Sequence, residues 1–311
     1  MQRIFITGVT GFIGQNLVKY FGNDASVELF GHSRDSSRAK AKLSNKVILA
    51  ESCSTQFFND TKINAVIHLA GIAHDLSNQY NPSDYYQVNF ENTKSIFNEF
   101  LKSNATTFIF LSSIKAAIDI SATPVEESVV PHPVTDYGKS KRQAEEYLLS
   151  VNLPMDKRIY ILRPCMVHGE GNKGNLNLLY TFAKSGLPYP FGSFENQRSF
   201  LSIDNFNFSI DAFVKASLPS GIYHLADDDF LSTKELFTII SLELGKTPRI
   251  WNLPASLISF LFSVIGKRGM LNKLTEDMMV ANSKLRKHLE KPFPIKIDEG
   301  IRKTIRSFHG S

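Results

Sequence analysis

The chain has 311 residues, 42% hydrophobic and 21% charged, the balance of a globular protein long enough for one large unit or two domains sharing an interface. Its net charge is +5, with Lys and Arg scattered apart from RDSSRAKAK (34–42) and KSKR (139–142), so nucleic-acid partners are not expected and small anions such as phosphates are favoured. Two cysteines, Cys53 and Cys165, without CxxC or a His/Cys cluster, argue against a disulfide scaffold or a metal site and fit the cytoplasm.

The opening MQRIFITGVTGFIG moves straight into a strand-like run with no signal-peptide cleavage pattern. Buried strands are predicted at Arg3–Thr7, Val27–Phe30, Ala65–Ala70, Thr107–Ser112 and Ile159–Arg163. Helical periodicity falls between them, at Gly11–Phe21, Ser83–Ser103 and Tyr137–Ser150. This alternation predicts an α/β fold with a parallel sheet covered on both faces. After Arg163-Pro164 the composition changes, and loops rich in Gly, Pro and Asn dominate 168–200. A helix at about 204–217 and the strand-like GIYHLAD (221–227) are expected to return to the sheet. The apolar WNLPASLISFLFSVIG (251–266) is too short and too proline-marked to span a bilayer, so no integral span is expected. A buried helix is the main reading of that segment, and contact with a membrane surface the minor one.

The first strand ends in TGVTGFIG, a GxxGxxG loop that opens a helix. Gly8 permits the tight turn, Gly11 lets backbone approach a pyrophosphate, and Gly14 lets helix and strand pack closely. The helix N-terminus offers oriented N–H groups to the phosphates. A Rossmann-type, doubly wound dinucleotide-binding domain is therefore expected over 1–164 plus about 201–228, with a smaller α+β substrate-binding lobe from 165–200 plus about 229–311. In NAD enzymes an acid usually ends the second strand. Here the stretch reads Gly31-His32-Ser33-Arg34-Asp35, where Ser33, Arg34 and Arg38 could meet a 2′-phosphate. NADP(H) is favoured over NAD(H) on that ground.

Tyr137 and Lys141 lie one helical turn apart in YGKSK, on one face. A free tyrosine titrates near 10, and a lysine ammonium together with an oxidised nicotinamide would favour its phenolate. Ser113, in FLSSIKA, falls at the carboxyl edge of the fourth strand, where ligands bind in such folds.

Together TGVTGFIG, HLAG (68–71), VNFENT (88–93), FLSSIKA (110–116), YGKSK (137–141) and ILRP (161–164) resemble the extended short-chain dehydrogenase/reductases, a group of nucleotide-sugar epimerases, dehydratases and reductases. The resemblance runs over essentially the whole chain and implies that Tyr137 is the acid/base, Lys141 orients the cofactor ribose and lowers the tyrosine pKa, Ser113 polarises the reacting oxygen, and Asn89 steadies the active-site helix. The implied cofactor site comprises Gly8, Thr10, Gly11, Phe12, Ile13, Gly14, Ser33, Arg34, Leu69, Ala70 and Gly71, with Tyr137 and Lys141. For a UDP-sugar, Asn175 matches a residue that opens a helix onto the pyrophosphate, Arg198 one that clamps it, and His74 and Lys115 match pocket-edge positions. Met166 departs from the pattern, standing where many sugar 4-epimerases have asparagine. Relatives pair through the helices at 83–103 and 137–150, so a homodimer is open to this chain.

A 4,6-dehydratase of this group carries an Asp-Glu pair directly after the catalytic hydroxyl. Ser113 is followed by Ile114-Lys115, which argues against dehydration. The wording SSIKA, ILRPCMVHGEGNKGNL and SGLPYPFGSFENQRSFLSIDN is similar to a bacterial subgroup of UDP-glucose 4-epimerase-like proteins. That subgroup includes the 4-keto reductase forming UDP-N-acetylquinovosamine for surface polysaccharide. It implies reduction of C4 of a UDP-4-keto-6-deoxy-N-acetylhexosamine, with a UDP-sugar 4-epimerase as the alternative. A non-catalytic dinucleotide sensor of the same fold is a distant third reading.

Overall fold

The computed structural model describes residues 1–35, 43, 46–72, 80–172, 175–216 and 218–308. The strands, in chain order, are β1 (Gln2–Thr7), β2 (Val27–His32), β3 (Val47–Leu49), β4 (Ala65–His68), β5 (Thr107–Leu111), β6 (Ser121–Val125), β7 (Arg158–Pro164), β8 (Met166–His168), β9 (Arg198–Ser202), β10 (Gly221–Leu225), β11 (Phe230–Leu231) and β12 (Met278–Val280). Seven of them form a parallel sheet in the order β10-β7-β5-β4-β1-β2-β3. The chain order reverses direction at β1, so a crevice opens between β1 and β4 at their carboxyl ends. Register puts Thr7 beside both His32 and His68, and His68 beside Phe110, which fixes the floor of that crevice.

Side-chain alternation along the strands builds two cores, one per face. Phe5, Phe58, Phe97, Phe100, Phe108 and Phe110 fill one face. Ile4, Ile6, Leu17, Ile67, Ile109 and Tyr160 fill the other, where helix Ile203–Lys215 packs beside helix Phe12–Phe21. The helical stretch predicted at 83–103 is a rod in three parts: Pro82–Tyr86, a π-helical turn Gln87–Glu91, and Asn92–Lys102.

A second sheet runs β11-β9-β12-β6, with β8 paired to β9. Residues 1–164 are expected to belong to the first domain, yet β6 leaves the nucleotide-binding sheet and pairs with β12. Its SATPV is mostly exposed and holds a proline, which a half-covered edge tolerates and a central strand does not. A third apolar cluster, with Leu176, Tyr189, Phe200, Phe237, Ile240 and Ile301, sits under this sheet.

One expectation fails outright. Helix Ala255–Val264, expected to be buried, lies on the surface with Ile258 as its one buried residue. Among the described residues no helix is long and apolar enough to cross a membrane.

Candidate active site

Helix Phe12–Phe21 starts directly after Gly11, a residue with no side chain to cap it, so its first-turn N–H groups stay free for a ligand. Gly8 has φ +68°, and a Cβ there would come within 2.8 Å of the Ala70 backbone nitrogen. A Cβ on Gly14 would fall 2.4 Å from the Gly8 carbonyl oxygen. Both glycines are thus required by close approach, as the loop spacing predicts. Beside them is a cavity of about 660 Å³, lined in part by Gly8, Thr10, Gly11, Ser33, Arg34 and Ala70. A dinucleotide fits this cradle in chemistry: glycine backbone and helix amides for phosphate, hydroxyls and a guanidinium for ribose or its phosphate.

The crevice floor is a fully paired hydrogen-bond chain. The Ala70 N–H donates to Thr7 Oγ1 (3.1 Å), which lies 2.7 Å from His68 Nδ1. His68 Nε2 lies 3.0 Å from Thr93 Oγ1, whose hydroxyl donates to the Asn89 carbonyl (2.8 Å). Because Thr93 spends its proton on Asn89, His68 donates from Nε2 and accepts at Nδ1 from Thr7. Burial pushes the His68 pKa down to about 3, so the ring stays neutral.

Asn89, inside the π-helical turn, accepts from the Ile72 N–H (2.8 Å) and donates to the Ile72 carbonyl (3.1 Å) and Ser140 Oγ (3.1 Å). Ser140 in turn donates to the Tyr137 carbonyl (2.8 Å). The asparagine therefore straps the loop after β4 to the first turn of helix Asp136–Ser150. Thr135 caps that helix by accepting from the Gly138 N–H (3.1 Å). A Cβ on Gly138 would sit 2.3 Å from the Lys115 carbonyl oxygen, so glycine between Tyr137 and Lys139 lets the helix press against the turn after Ser113.

That contact brings the Tyr137 hydroxyl into hydrogen bonding with Ser113, with the Tyr85 ring 6.4 Å away edge-on. Lys141 is 4% exposed; its ammonium donates to the Leu111 carbonyl (2.8 Å) and lies 4.8 Å from the Phe110 ring centre. Burial lowers its pKa to about 8, opposed by Glu145. A Cβ on Gly71 would fall 2.8 Å from Asn89 Oδ1 and 3.1 Å from the Lys141 ammonium, so glycine there leaves room for both side chains. The expected electrostatics of Tyr137 are not those of the protein alone. Its pKa is raised, chiefly by burial, with the Ser113 hydrogen bond pulling it back and Tyr85 adding to the rise. The Lys141 ammonium, anchored on the end of β5, does not contribute to that shift, which leaves further activation of the phenol to whatever binds between them.

A model of the NAD dependent epimerase/dehydratase family matches residues 4–226. The chain belongs to that family. A UDP-glucose 4-epimerase of Vibrio cholerae is 29% identical over 316 residues, covering 99% of this chain and 95% of that protein. A GDP-6-deoxy-D-mannose reductase of Pseudomonas aeruginosa is 28% identical over 176 residues, 55% of this chain and 54% of its own length. In fold, a UDP-glucuronic acid 4-epimerase from Bacillus cereus, solved with NAD, superposes with a TM-score of 0.77 at 17% identity, covering 98% of this chain and 96% of that one. Membership of the family makes the protein an enzyme and the nicotinamide dinucleotide its expected cofactor.

The remaining family-matched positions are spread more widely. Lys115 pairs with Asp119 (2.6 Å) and is one-third exposed. Arg198 opens β9, and its Nη1 donates to the Glu276 carbonyl (2.8 Å), with burial lowering its pKa. Asn175 is the first residue of helix Asn175–Ser185. His74 and Arg38 lie outside the described residues. Thr7, His68 and Thr93, and the buried group Ser112, Glu145 and Arg163, are not marked out for a role by any motif in the sequence. The signal for the last three was a Glu and an Arg placed where the periodicity demands apolar residues, at buried positions of Asp136–Ser150 and β7.

Proposed function

We propose that the protein acts at C4 of a UDP-linked hexose, and that its reaction is 4-epimerisation. The observation that carries this reading is Tyr137 hydrogen-bonded to Ser113 beside the dinucleotide crevice, with Ile114 and Lys115, not carboxylates, in the short turn that follows. A nicotinamide dinucleotide held in that crevice supplies hydride acceptance and return at the sugar carbon. Ser113 would hold O4 by a hydrogen bond, and Tyr137 would take the O4 proton and give it back. Lys141, with its carbonyl anchor on Leu111, would hold a ribose hydroxyl. Arg198 and the start of helix Asn175–Ser185 would take the diphosphate.

The 4-keto reductase preferred from the sequence wording is the second reading. It keeps the same residues but runs one way, Tyr137 protonating O4 once per turnover. Its support is Arg34 lining the crevice where an acid would select NAD, since NADP(H) commonly serves reduction. Similarity to a UDP-glucose 4-epimerase over 99% of this chain is what supports taking epimerisation as the first reading. Incubation of the pure protein with UDP-glucose and with UDP-N-acetylglucosamine, followed by NMR of the sugar, tests the choice. Interconversion at C4 without net change in cofactor supports epimerisation. Stoichiometric loss of NADPH or NADH with a UDP-4-keto-6-deoxy sugar, and no interconversion, assigns the reductase. If neither occurs with any UDP-sugar, the C4 reading falls.

A further inference from the structure

Helix Ala255–Val264 inverts the usual arrangement of a surface helix. Its inner side is held by buried Ile258 and by the Phe262 ring, 5.8 Å from Phe191. Its outer side carries Leu257, Phe260, Leu261 and Val264, all exposed and spaced i, i+3, i+4, i+7. Phe260 is 65% and Val264 69% exposed, and Trp251 and Ile265 extend the patch beyond the helix ends. Scattered apolar side chains on a surface need no explanation, but a full stripe turned outward does.

The charges of its own chain segment are one-sided. Residues 244–275 contain Lys246, Arg249, Lys267, Arg268 and Lys273 and no Asp or Glu. Arg249, Lys267 and Arg268 are exposed. The acid on the adjoining loop, Glu195, is paired with Lys234 (3.9 Å). Ten residues of helix span about 15 Å, half a bilayer core, so this element cannot cross a membrane. It has the apolar face and basic rim of a helix that lies in the headgroup plane.

We propose that this face, centred on Phe260, Leu261 and Val264 with Trp251 at its edge, seats the protein on an anionic phospholipid surface. The lipid headgroups take the basic rim and the acyl boundary takes the stripe. A second copy of the chain is the poorer occupant. A two-fold contact through the stripe would bring two basic segments together, with no carboxylate in 244–275 of either copy to pair them. Docked this way, the helix Arg268–Thr275 that follows and Glu276, whose carbonyl holds Arg198, lie next to the bilayer.

Trp251 is the single tryptophan in the chain, so its emission reports insertion without labelling. The full-length protein is mixed with phosphatidylcholine vesicles, with or without about one-third phosphatidylglycerol, then floated on a density gradient while tryptophan emission is recorded. Flotation and a blue shift are expected with the anionic vesicles, at least tenfold weaker with neutral ones. The triple variant Phe260→Ser/Leu261→Ser/Val264→Ser and the pair Lys267→Glu/Arg268→Glu should each lower vesicle affinity tenfold or more, with the thermal midpoint and dinucleotide binding unchanged. Absence of flotation with anionic vesicles overturns the proposal. So does sedimentation velocity showing a dimer that the triple variant dissociates, which would make a second copy the occupant. These readouts do not depend on which sugar reaction the enzyme performs.

Discussion

Glu145 and Arg163 meet in a two-point ion pair inside the molecule, Nε to Oε1 at 2.8 Å and Nη2 to Oε2 at 2.6 Å, with neither side chain exposed. The same carboxylate accepts from Ser112 Oγ (2.6 Å), the residue before Ser113. The pair therefore ties helix Asp136–Ser150, which carries Tyr137 and Lys141, to strand ends β5 and β7. Removing Glu145 leaves the Arg163 charge buried and unmatched, a cost of about 3–5 kcal/mol, while removing Arg163 leaves Glu145 with Ser112 and with Arg142 at 3.4 Å, a smaller loss. Glu145→Ala or Arg163→Met should lower the thermal midpoint by several degrees and reduce turnover, and the double variant should be more stable than the sum of the two predicts. Thermal melts followed by circular dichroism give the coupling.

Tyr137→Phe should lower kcat by about 10²–10⁴ while dinucleotide binding, measured by calorimetry, stays within a few-fold. The ring would keep its place against Tyr85, so the loss isolates the hydroxyl and its bond to Ser113.

Lys141 has a pKa near 8 in the folded protein against 10.5 usually, because burial disfavours its charge. As pH rises through 8 it loses the proton with which it would hold a ribose hydroxyl, so dinucleotide affinity should fall above pH 8. Lys141→Arg should remove that limb, since a guanidinium stays charged. Stability moves the other way between pH 8 and 10.5: the unfolded chain still carries a proton that the folded one has released, so this group makes folding more favourable as pH rises. Binding and melting curves measured together across that window separate the two effects.

At the other end of the scale, burial holds His68 and His168 near 3 and His224 near 4. Each folded pKa is below the usual 6.5, so below that pH the unfolded chain binds protons that the folded one refuses, and stability falls on acidification. Asp227 opposes this, since burial raises it to about 7 from 3.8, and it sits 4.0 Å from His168. Its contribution opposes that of His168, while His68 and His224 have no such raised carboxylate against them. The thermal midpoint should drop steadily from pH 6.5 to 4, and less steeply in His224→Gln.

Replacing Arg34 by alanine tests the cofactor end. If its guanidinium meets a 2′-phosphate, NADPH affinity should fall about tenfold or more with NADH affinity little changed, as competition binding would record.

Much of this site was readable from residue order because the chemistry is local: a glycine loop must follow its strand directly, and Tyr137 and Lys141 share one turn. Gly138 is a case where spacing alone hid the reason. Its small size matters through the Lys115 carbonyl, 23 residues earlier in the chain. The Glu145–Arg163 pair and the Thr7–His68–Thr93 relay were hidden for the same cause, since each joins elements whose adjacency exists only after the sheet has formed. SATPV gave no strand signal because its pairing partner, β12, lies more than 150 residues later. The apolar run 251–266 misled in the opposite direction, since hydrophobicity announces that a face will be covered but not whether this chain covers it.

The π-helical turn Gln87–Glu91 sets the two halves of its rod out of phase. Each added residue turns a helix by about 100°, so side chains ahead of the turn point along a different bearing from those behind it. Behind it, Phe97 and Phe100 follow the aromatic core, and ahead of it Tyr85 faces Tyr137. Asn89 stands at the changeover and looks toward Ile72 and Ser140. One helix can thus serve two unlike surroundings, greasy at one end and reactive at the other, because a single surplus residue resets its compass.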